Sequence, residues 1–433
     1  MKNKFIKSTI ILIIGGFLTK ILGMLIKIVL TRTISTKGIG IYSLILPTFN
    51  LFITLCSLGL PTAISKLVSE NNKISNKKIV LTPIPFILLF NIFLIILLII
   101  ISPILSKYLI KNEITYYPLL AIGLTLPFIS ISSIIKGYFF GKEQMLPTII
   151  SNIIEQLMRL FLTIVLISRL MKYSLTIAIT GVVLINILSE GISIVVLLLF
   201  IPKNKNIKLK DFSYDKALMK DLLSISIPTT GGRLIGSITY FLEPIILTLA
   251  LTKSGYSSNF ITSEYGIING YVYPLLLLPS FFTMAISNAL LPVVSNSYSS
   301  RNINYTKYKI KQAIYLSLGI GIPCTILFMT IPNIFLKLIY NTTEGLIYIK
   351  VIAPIFLIFY IQGPLTATMQ AMNLAKDAML GTLIGSILRI IILYITSRLN
   401  IGMWGLIISS ITNILFITTH HLYYVYIHLK KKA

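Results

Sequence analysis

The chain has 433 residues, of which 55% are hydrophobic and only 12% charged, with a mean hydropathy of +0.90 and a formal net charge of +26. A water-soluble protein of this size needs far more polar surface, so the composition excludes a soluble enzyme and points to a polytopic helical membrane protein. The positive charge does not indicate a nucleic-acid partner, because most Lys and Arg fall in short loops between apolar runs.

In chain order, hydropathy predicts twelve spans, at roughly 8–31, 39–68, 79–105, 115–140, 147–170, 174–201, 217–252, 265–296, 307–332, 344–373, 376–398 and 401–429. The run 84–105, IPFILLFNIFLIILLIIISPIL, matches the length of a hydrocarbon core. The basic start MKNKFIKS leads into an apolar run without a small-x-small cleavage site, so it reads as the first span and not as a removable leader.

The terminal segments and even-to-odd loops hold 22 of the 38 Lys and Arg, Lys136 and Lys142 among them, against ten in the opposite loops. That bias expects both termini in the cytoplasm of a bacterial cell, with the protein multi-pass in its cytoplasmic membrane. The longest polar loop, PKNKNIKLKDFSYDK (202–216), lies between six spans and six spans.

The two halves repeat weakly. GGFLTKILG (15–23) resembles GGRLIGSIT (231–239), LPTFNLF (46–52) resembles YPLLLLP (273–279), and EQLMRLFL (155–162) resembles GSILRIII (385–392), with offsets growing from 216 to 230. Six is even, so both halves enter from the same side, as parallel repeats. The expected fold is all-α: twelve transmembrane helices in two six-helix lobes, 1–201 and 217–433, joined by the basic cytoplasmic linker 202–216.

Ionisable residues inside spans are costly and are candidates for function. Span one carries Gly16, Lys20, Gly23 and Lys27 at spacings of 4, 3 and 4, which lie on one helix stripe. Span seven repeats the spacing in Gly232, Gly236, Thr239 and Glu243. Arg233 falls about 80° off that second stripe. The expectation is that Lys20, Lys27, Arg233 and Glu243 line a central cleft, with Glu243 looking towards the lysine stripe; snorkelling of Lys20 and Arg233, or a Lys27–Glu243 pair, is the purely structural alternative.

Glu155 and Arg159 in span five are an i, i+4 pair with the acid first. Glu190 in span six lies deep, near Asn186. Arg389 is the repeat mate of Arg159 and has no acid at the matching position. These four read as structural or coupling groups. Prolines at 47, 61, 228, 244, 274, 279 and 292 permit bends beside the cleft.

Cys56 and Cys324 read as small buried residues, and His420, His421 and His428 lack acidic or cysteine co-ligands, so no metal site is expected. No Walker loop, nucleophile elbow or Rossmann glycines are present, and no loop exceeds about 15 residues, so no catalytic residues are expected.

The segments GGFLTKILGMLIKIVLTR, GLPTAISKLVSEN (59–71), EQLMRL, IPTTGGRLIGSITYFLEPII and PSFFTMAISNALLPVVSNSYSS (279–300) resemble the stage V sporulation protein B family. That family belongs to the polysaccharide-transporter branch of the multidrug/oligosaccharidyl-lipid/polysaccharide flippase superfamily. The resemblance implies a flippase that moves a lipid-linked oligosaccharide of the peptidoglycan or spore-cortex type by alternating access. Related lipid II flippases hold a diphosphate with cationic residues, and Lys20 stands where they place an arginine before a similar Leu-Gly. The arginines that they carry after the Leu-Pro of span two are missing here, where Leu51 and Phe52 stand, and so are two extra C-terminal helices.

The expected partners are therefore a lipid-linked glycan, membrane lipids and cell-wall synthesis enzymes, with no nucleic acid, and the expected working unit is a monomer. No cofactor is expected beyond a coupling ion, sodium or proton, between which the sequence does not choose. Three alternatives stay open: a cation-coupled multidrug exporter, a non-transporting scaffold for cell-wall assembly, and a glycan polymerase. Setting aside charges near the loops, the spans hold three acids, Glu155, Glu190 and Glu243, against six bases, which favours an anionic cargo over a cationic drug.

Overall fold

A computed structural model describes residues 2–70, 75–201 and 215–431; of residues 2–13 and of Gly232 it describes the backbone only. The basic segment 202–214 lies outside the described residues. Among those described, every regular element is helical. In hydrocarbon each backbone amide must be satisfied within its own segment, which a helix does and an open strand does not. Eleven helices are long and apolar enough to cross a membrane, and a bent pair, Ser258–Leu276 with Ser280–Ser299, makes a twelfth.

By contacts the chain divides into two units, Met1–Phe241 and Leu242–Ala433. The first unit contains α1 (Lys2–Thr33), α2 (Thr36–Ser57), α3 (Leu60–Ser69), α4 (Asn76–Leu81), α5 (Pro83–Ile104), α6 (Tyr116–Gly141), α7 (Met145–Leu162), α8 (Ser168–Leu170), α9 (Leu175–Leu199) and the first two-thirds of α10 (Lys216–Lys253). The second unit contains the rest of α10, then α11 (Ser258–Gly266), α12 (Tyr273–Leu276), α13 (Ser280–Ser299), α14 (Ile303–Thr330), α15 (Pro332–Tyr340), α16 (Leu346–Ala371), α17 (Ala375–Thr396) and α18 (Trp404–Lys431). The contact boundary thus falls inside the helix that follows the basic segment, just before Glu243 and Pro244.

Helix starts follow their sequence signals. Ser35, Ser75, Ser174 and Ser257 each accept a hydrogen bond from the amide three residues on, and Asn302 does the same for Tyr305. Asp215 caps α10, accepting from the amides of Ala217 and Leu218, and the Lys78 ammonium at 2.6 Å holds its carboxyl below the usual carboxylate range.

Burial is inverted relative to a soluble bundle. On α5, Leu89, Phe93, Ile96 and Ile100 are exposed along one stripe, whereas Asn91 and Ser102 are buried on the other. The polar side faces neighbouring helices and the apolar side faces lipid. Small residues allow close helix approach: a Cβ on Gly137 would lie 2.8 Å from the Pro61 backbone.

The second helix of each half is broken. In the first unit Leu58 and Gly59 both take positive φ, 44° and 65°, between α2 and α3. The break deprives the Cys56 carbonyl of its helical partner, and Ser130 Oγ of α6 lies 3.0 Å from it, sharing its one donor proton between this carbonyl and that of Leu126 at 2.9 Å while accepting from Asn91 Nδ2 at 2.8 Å. In the second unit the chain bends by 53° around Leu277–Pro279. There the Tyr360 hydroxyl of α16 donates to the Leu276 carbonyl at 2.7 Å. Ser130 and Tyr360 stand 230 residues apart, the same offset that separates Arg159 from Arg389.

Gly59 has a second constraint. A Cβ there would lie 2.4 Å from Thr230 Oγ1 and 2.8 Å from the Ser226 carbonyl, both on α10. Positive φ and this close approach together predict that Gly59→Ala destabilises the protein by at least about 1–2 kcal/mol. Gly16→Ala, with nothing within 4 Å of its Cβ, should leave the unfolding temperature unchanged. Equal unfolding temperatures for both variants in detergent would contradict the assignment.

Candidate functional site

The polar stripe of α1 has open space in front of its glycines. No heavy atom lies within 4 Å of a Cβ built on Gly16 or Gly23, whereas one on Gly15 would collide with Ile149 of α7 at 2.3 Å. Helix α1 therefore turns Gly15 to its neighbour and turns the stripe of Gly16, Lys20, Gly23 and Lys27 away from it. Lys20 is exposed and Lys27, two turns on, is half-buried. On α10 the same openness holds at Gly231 and Gly236, and Arg233 between them is exposed. The first unit thus presents three cationic side chains on two helices along faces kept free of bulk.

Glu243 departs from the sequence expectation. It is 1% exposed and does not offer its carboxylate to an open stripe. Arg389 of α17 forms a salt bridge to its Oε2, and the Tyr265 hydroxyl of α11 donates to its Oε1 at 3.1 Å. Arg389, expected without an acidic partner, therefore has one, supplied by α10 and not by its own helix. Its guanidinium also donates to Ser410 Oγ of α18 at 3.3 Å, and the Tyr273 hydroxyl donates to the same Ser410 at 2.7 Å.

The first unit builds the corresponding cluster differently. Arg159 pairs with Glu155 one turn earlier at 2.8 Å, and its Nε donates to Ser189 Oγ of α9 at 3.4 Å. Lys136, assigned from the sequence to a cytoplasmic loop, lies inside α6 with its Nζ 3.3 Å from the other oxygen of Glu155. The predicted span 115–140 already contains it; the charge count takes it as a loop residue because its helix ends only five residues later. Glu155 thus holds two cations at once while only 6% exposed. Glu190, next to Ser189, feels the charges of Lys136, Glu155 and Arg159, and its Oε2 is buried without a hydrogen-bond partner.

The two clusters share a plan: an arginine on the fifth span of each half, a serine on the sixth, and one carboxylate closing the charge. The carboxylate comes from the arginine's own helix in the first unit and from the seventh span in the second. The 230-residue offset marked Arg389 in the sequence, but neither serine nor the source of the second acid carried a signal.

The histidines are packing groups. His421 is buried with Nδ1 3.2 Å from Thr366 Oγ1, and His420 stacks on Tyr424. Among the described residues no group of three His, Cys, Asp or Glu side chains is placed to hold a metal ion.

The all-helical architecture has counterparts among solved structures. An inward-facing multidrug resistance MATE family transporter of the MOP superfamily superposes with a TM-score of 0.73 over 96% of this chain and 95% of that one, at 15% identity. The protein therefore shares the fold of that transporter.

The particular branch follows from sequence. Stage V sporulation protein B of Bacillus subtilis (strain 168) is 33% identical over 430 residues, covering 97% of this chain and 83% of that protein. Lipid II flippase MurJ of the same organism is 21% identical over 422 residues, covering 90% and 77%. The family described as polysaccharide biosynthesis protein matches residues 5–298, and the MatE family matches residues 244–395. The chain belongs to the polysaccharide biosynthesis protein family, in its stage V sporulation protein B-like branch.

Glu243→Gln should strand Arg389 in an apolar setting and destabilise the protein by about 3–5 kcal/mol. Adding Arg389→Gln should restore more than half of the loss, because the stranded partner carries most of the penalty. A double-mutant cycle on thermal unfolding in detergent reads the coupling. Simple additivity of the two losses would show that the pair does not form.

Proposed function

We propose that the protein flips a lipid-linked oligosaccharide, of the peptidoglycan or spore-cortex precursor type, across the bacterial cytoplasmic membrane by alternating access. The observation that carries this reading is the cationic face of α1, with Lys20 and Lys27 flanked by glycines that leave space in front of them. A diphosphate brings about two negative charges, and its attraction to fixed ammonium groups strengthens as water is excluded. Lys20, Lys27 and Arg233 are the proposed cargo-binding cations. Glu155, Arg159, Glu190, Glu243 and Arg389 keep the two clusters neutral and positioned.

The MatE match supports a second reading, export of cationic drugs. Such a cargo needs an available carboxylate. Glu155 and Glu243 are already closed by Lys136, Arg159 and Arg389, which favours the anionic cargo. Glu190, with its unpartnered buried oxygen, is the group proposed to meet a coupling proton or sodium ion. Both termini are proposed to lie in the cytoplasm, a reading that the Lys and Arg bias supports, and the protein is proposed to work as a monomer alongside cell-wall synthesis enzymes.

The test is reconstitution in liposomes with fluorescent lipid-linked precursors, scored for leaflet exchange. Lys20→Ala and Arg233→Ala should each weaken cargo binding by about 2–3 kcal/mol with unfolding temperatures unchanged, as for hydrogen bonds to charged groups. Wild-type exchange by both variants at normal incorporation would remove these residues from the site. No exchange of any lipid-linked glycan by the wild-type protein, with drug transport in the same vesicles, would favour the exporter.

Orientation has its own measurement. A membrane-impermeant thiol reagent added to intact cells should miss a cysteine placed at Asn206 and reach one placed at Asn259. The reverse pattern would invert the topology.

A further inference from the structure

The segment from Ser280 to Thr330 contains Arg301, Lys307, Lys309 and Lys311 and no Asp or Glu. It folds as the antiparallel pair α13 and α14, joined by a short turn at Ser300–Asn302. Between these helices runs a groove of about 240 Å³, lined by Ile286, Leu290 and Val293 on α13 and by Lys309, Gln312 and Leu316 on α14. Each set follows the three-and-four spacing of one helix face. Leu290 belongs to a buried cluster with Tyr298, Ala313 and Met369, so the floor of the groove is core.

The groove is amphipathic along its length. Lys309 and Gln312 lie at the end nearest the turn, and Leu316 and Ile286 lie about 10 Å further along at ~1.5 Å per residue. Lys309 is held at its end. Its Nζ lies 5.4 Å from the ring centroids of both Tyr305 and Tyr308 and donates to Gln312 Oε1 at 2.9 Å. An ammonium has three donor protons, so the Gln312 bond leaves further donors for a ligand. Tyr305 and Tyr308 are exposed, the arrangement that marks a membrane–water boundary.

We propose that this groove is a binding site for an anionic phospholipid, with the headgroup phosphate at Lys309 and Gln312 and an acyl chain along Ile286, Leu290 and Leu316. Three features select that occupant. The polar end carries only positive charge, which matches a phosphate and repels a cationic or Lys-rich partner. The apolar part begins directly below the cation, as a chain begins below its headgroup. The basic pocket lies between transmembrane helices at an aromatic boundary, where anionic headgroups gain about 1 kcal/mol per Lys or Arg. The site is independent of the cargo face on α1 and holds whether or not that cargo is a lipid-linked glycan.

The experiment uses the full chain, purified, stripped of lipid and returned to mixed micelles. Phosphatidylglycerol should raise the unfolding temperature and co-purify with the protein; phosphatidylcholine and free glycerol 3-phosphate should do neither. Lys309→Gln should lower phosphatidylglycerol retention about fivefold, the factor expected for one lost Lys contact. Ala289→Trp, which fills the groove from α13, should lower it similarly, whereas the exposed control Lys337→Gln should leave it unchanged. If Ala289→Trp fails to fold, the comparison of Lys309→Gln with Lys337→Gln decides alone. Equal losses in those two variants, equal stabilisation by phosphatidylcholine, or preferential retention of a polyprenyl phosphate over phosphatidylglycerol would overturn the proposal.

Discussion

Two half-buried arginines constrain much of this architecture. Arg159 and Arg389 sit on membrane spans, where an unpaired charge costs several kcal/mol, and each must meet a carboxylate that itself needs burial. The first unit solves this locally with Glu155, four residues earlier on α7, and adds Lys136 from α6 on the remaining oxygen. The second unit has glycine at the matching position, Gly385, and brings Glu243 from α10 instead. That choice has a structural consequence. Gly385 clears room for α18, whose Ile417 a Cβ would meet at 2.7 Å, and the acid that Gly385 displaces ties the second part of α10 to α17.

Broken second spans raise the same accounting problem for the backbone. Each break frees a carbonyl where lipid offers no donor. Ser130 and Tyr360, at matched positions in the two halves, donate to the freed carbonyls of Cys56 and Leu276. The side chains differ in reach because the breaks differ in place. A short hydroxyl suffices against α2, and a long phenol spans to α12. The duplicated plan is conserved at the level of which helix supplies the donor, while the residue type has drifted.

The helical, many-span character of the fold was legible in the sequence, because apolar run length is a local signal. Span eight was expected as one segment, and it is a bent pair because Pro279 interrupts it. The α1 stripe was legible as a periodicity, but only the structure shows that Gly15, and not Gly16, takes the contact with α7. The clusters were half legible. Glu155 with Arg159 follows from i, i+4 spacing, whereas Glu243 with Arg389 joins residues far apart in the chain and has no spacing rule to reveal it. Lys136 was misplaced for a physical reason: a lysine near a helix end reads as a loop charge whether its stem points out to water or in to a carboxylate.

The distribution of charge separates structure from transport. Glu155 and Glu243 are turned into helix clusters, where they neutralise cations that the fold itself requires, whereas Glu190 keeps one buried oxygen without a hydrogen-bond partner. Lys20, Lys27 and Arg233 lie along glycine-rich faces of α1 and α10. A protein that left its acids open would attract cations to the same region and screen the lysines. Under the proposed function, closing Glu155 and Glu243 with Lys136, Arg159 and Arg389 would keep the field of the α1 face positive and so set the sign of the cargo.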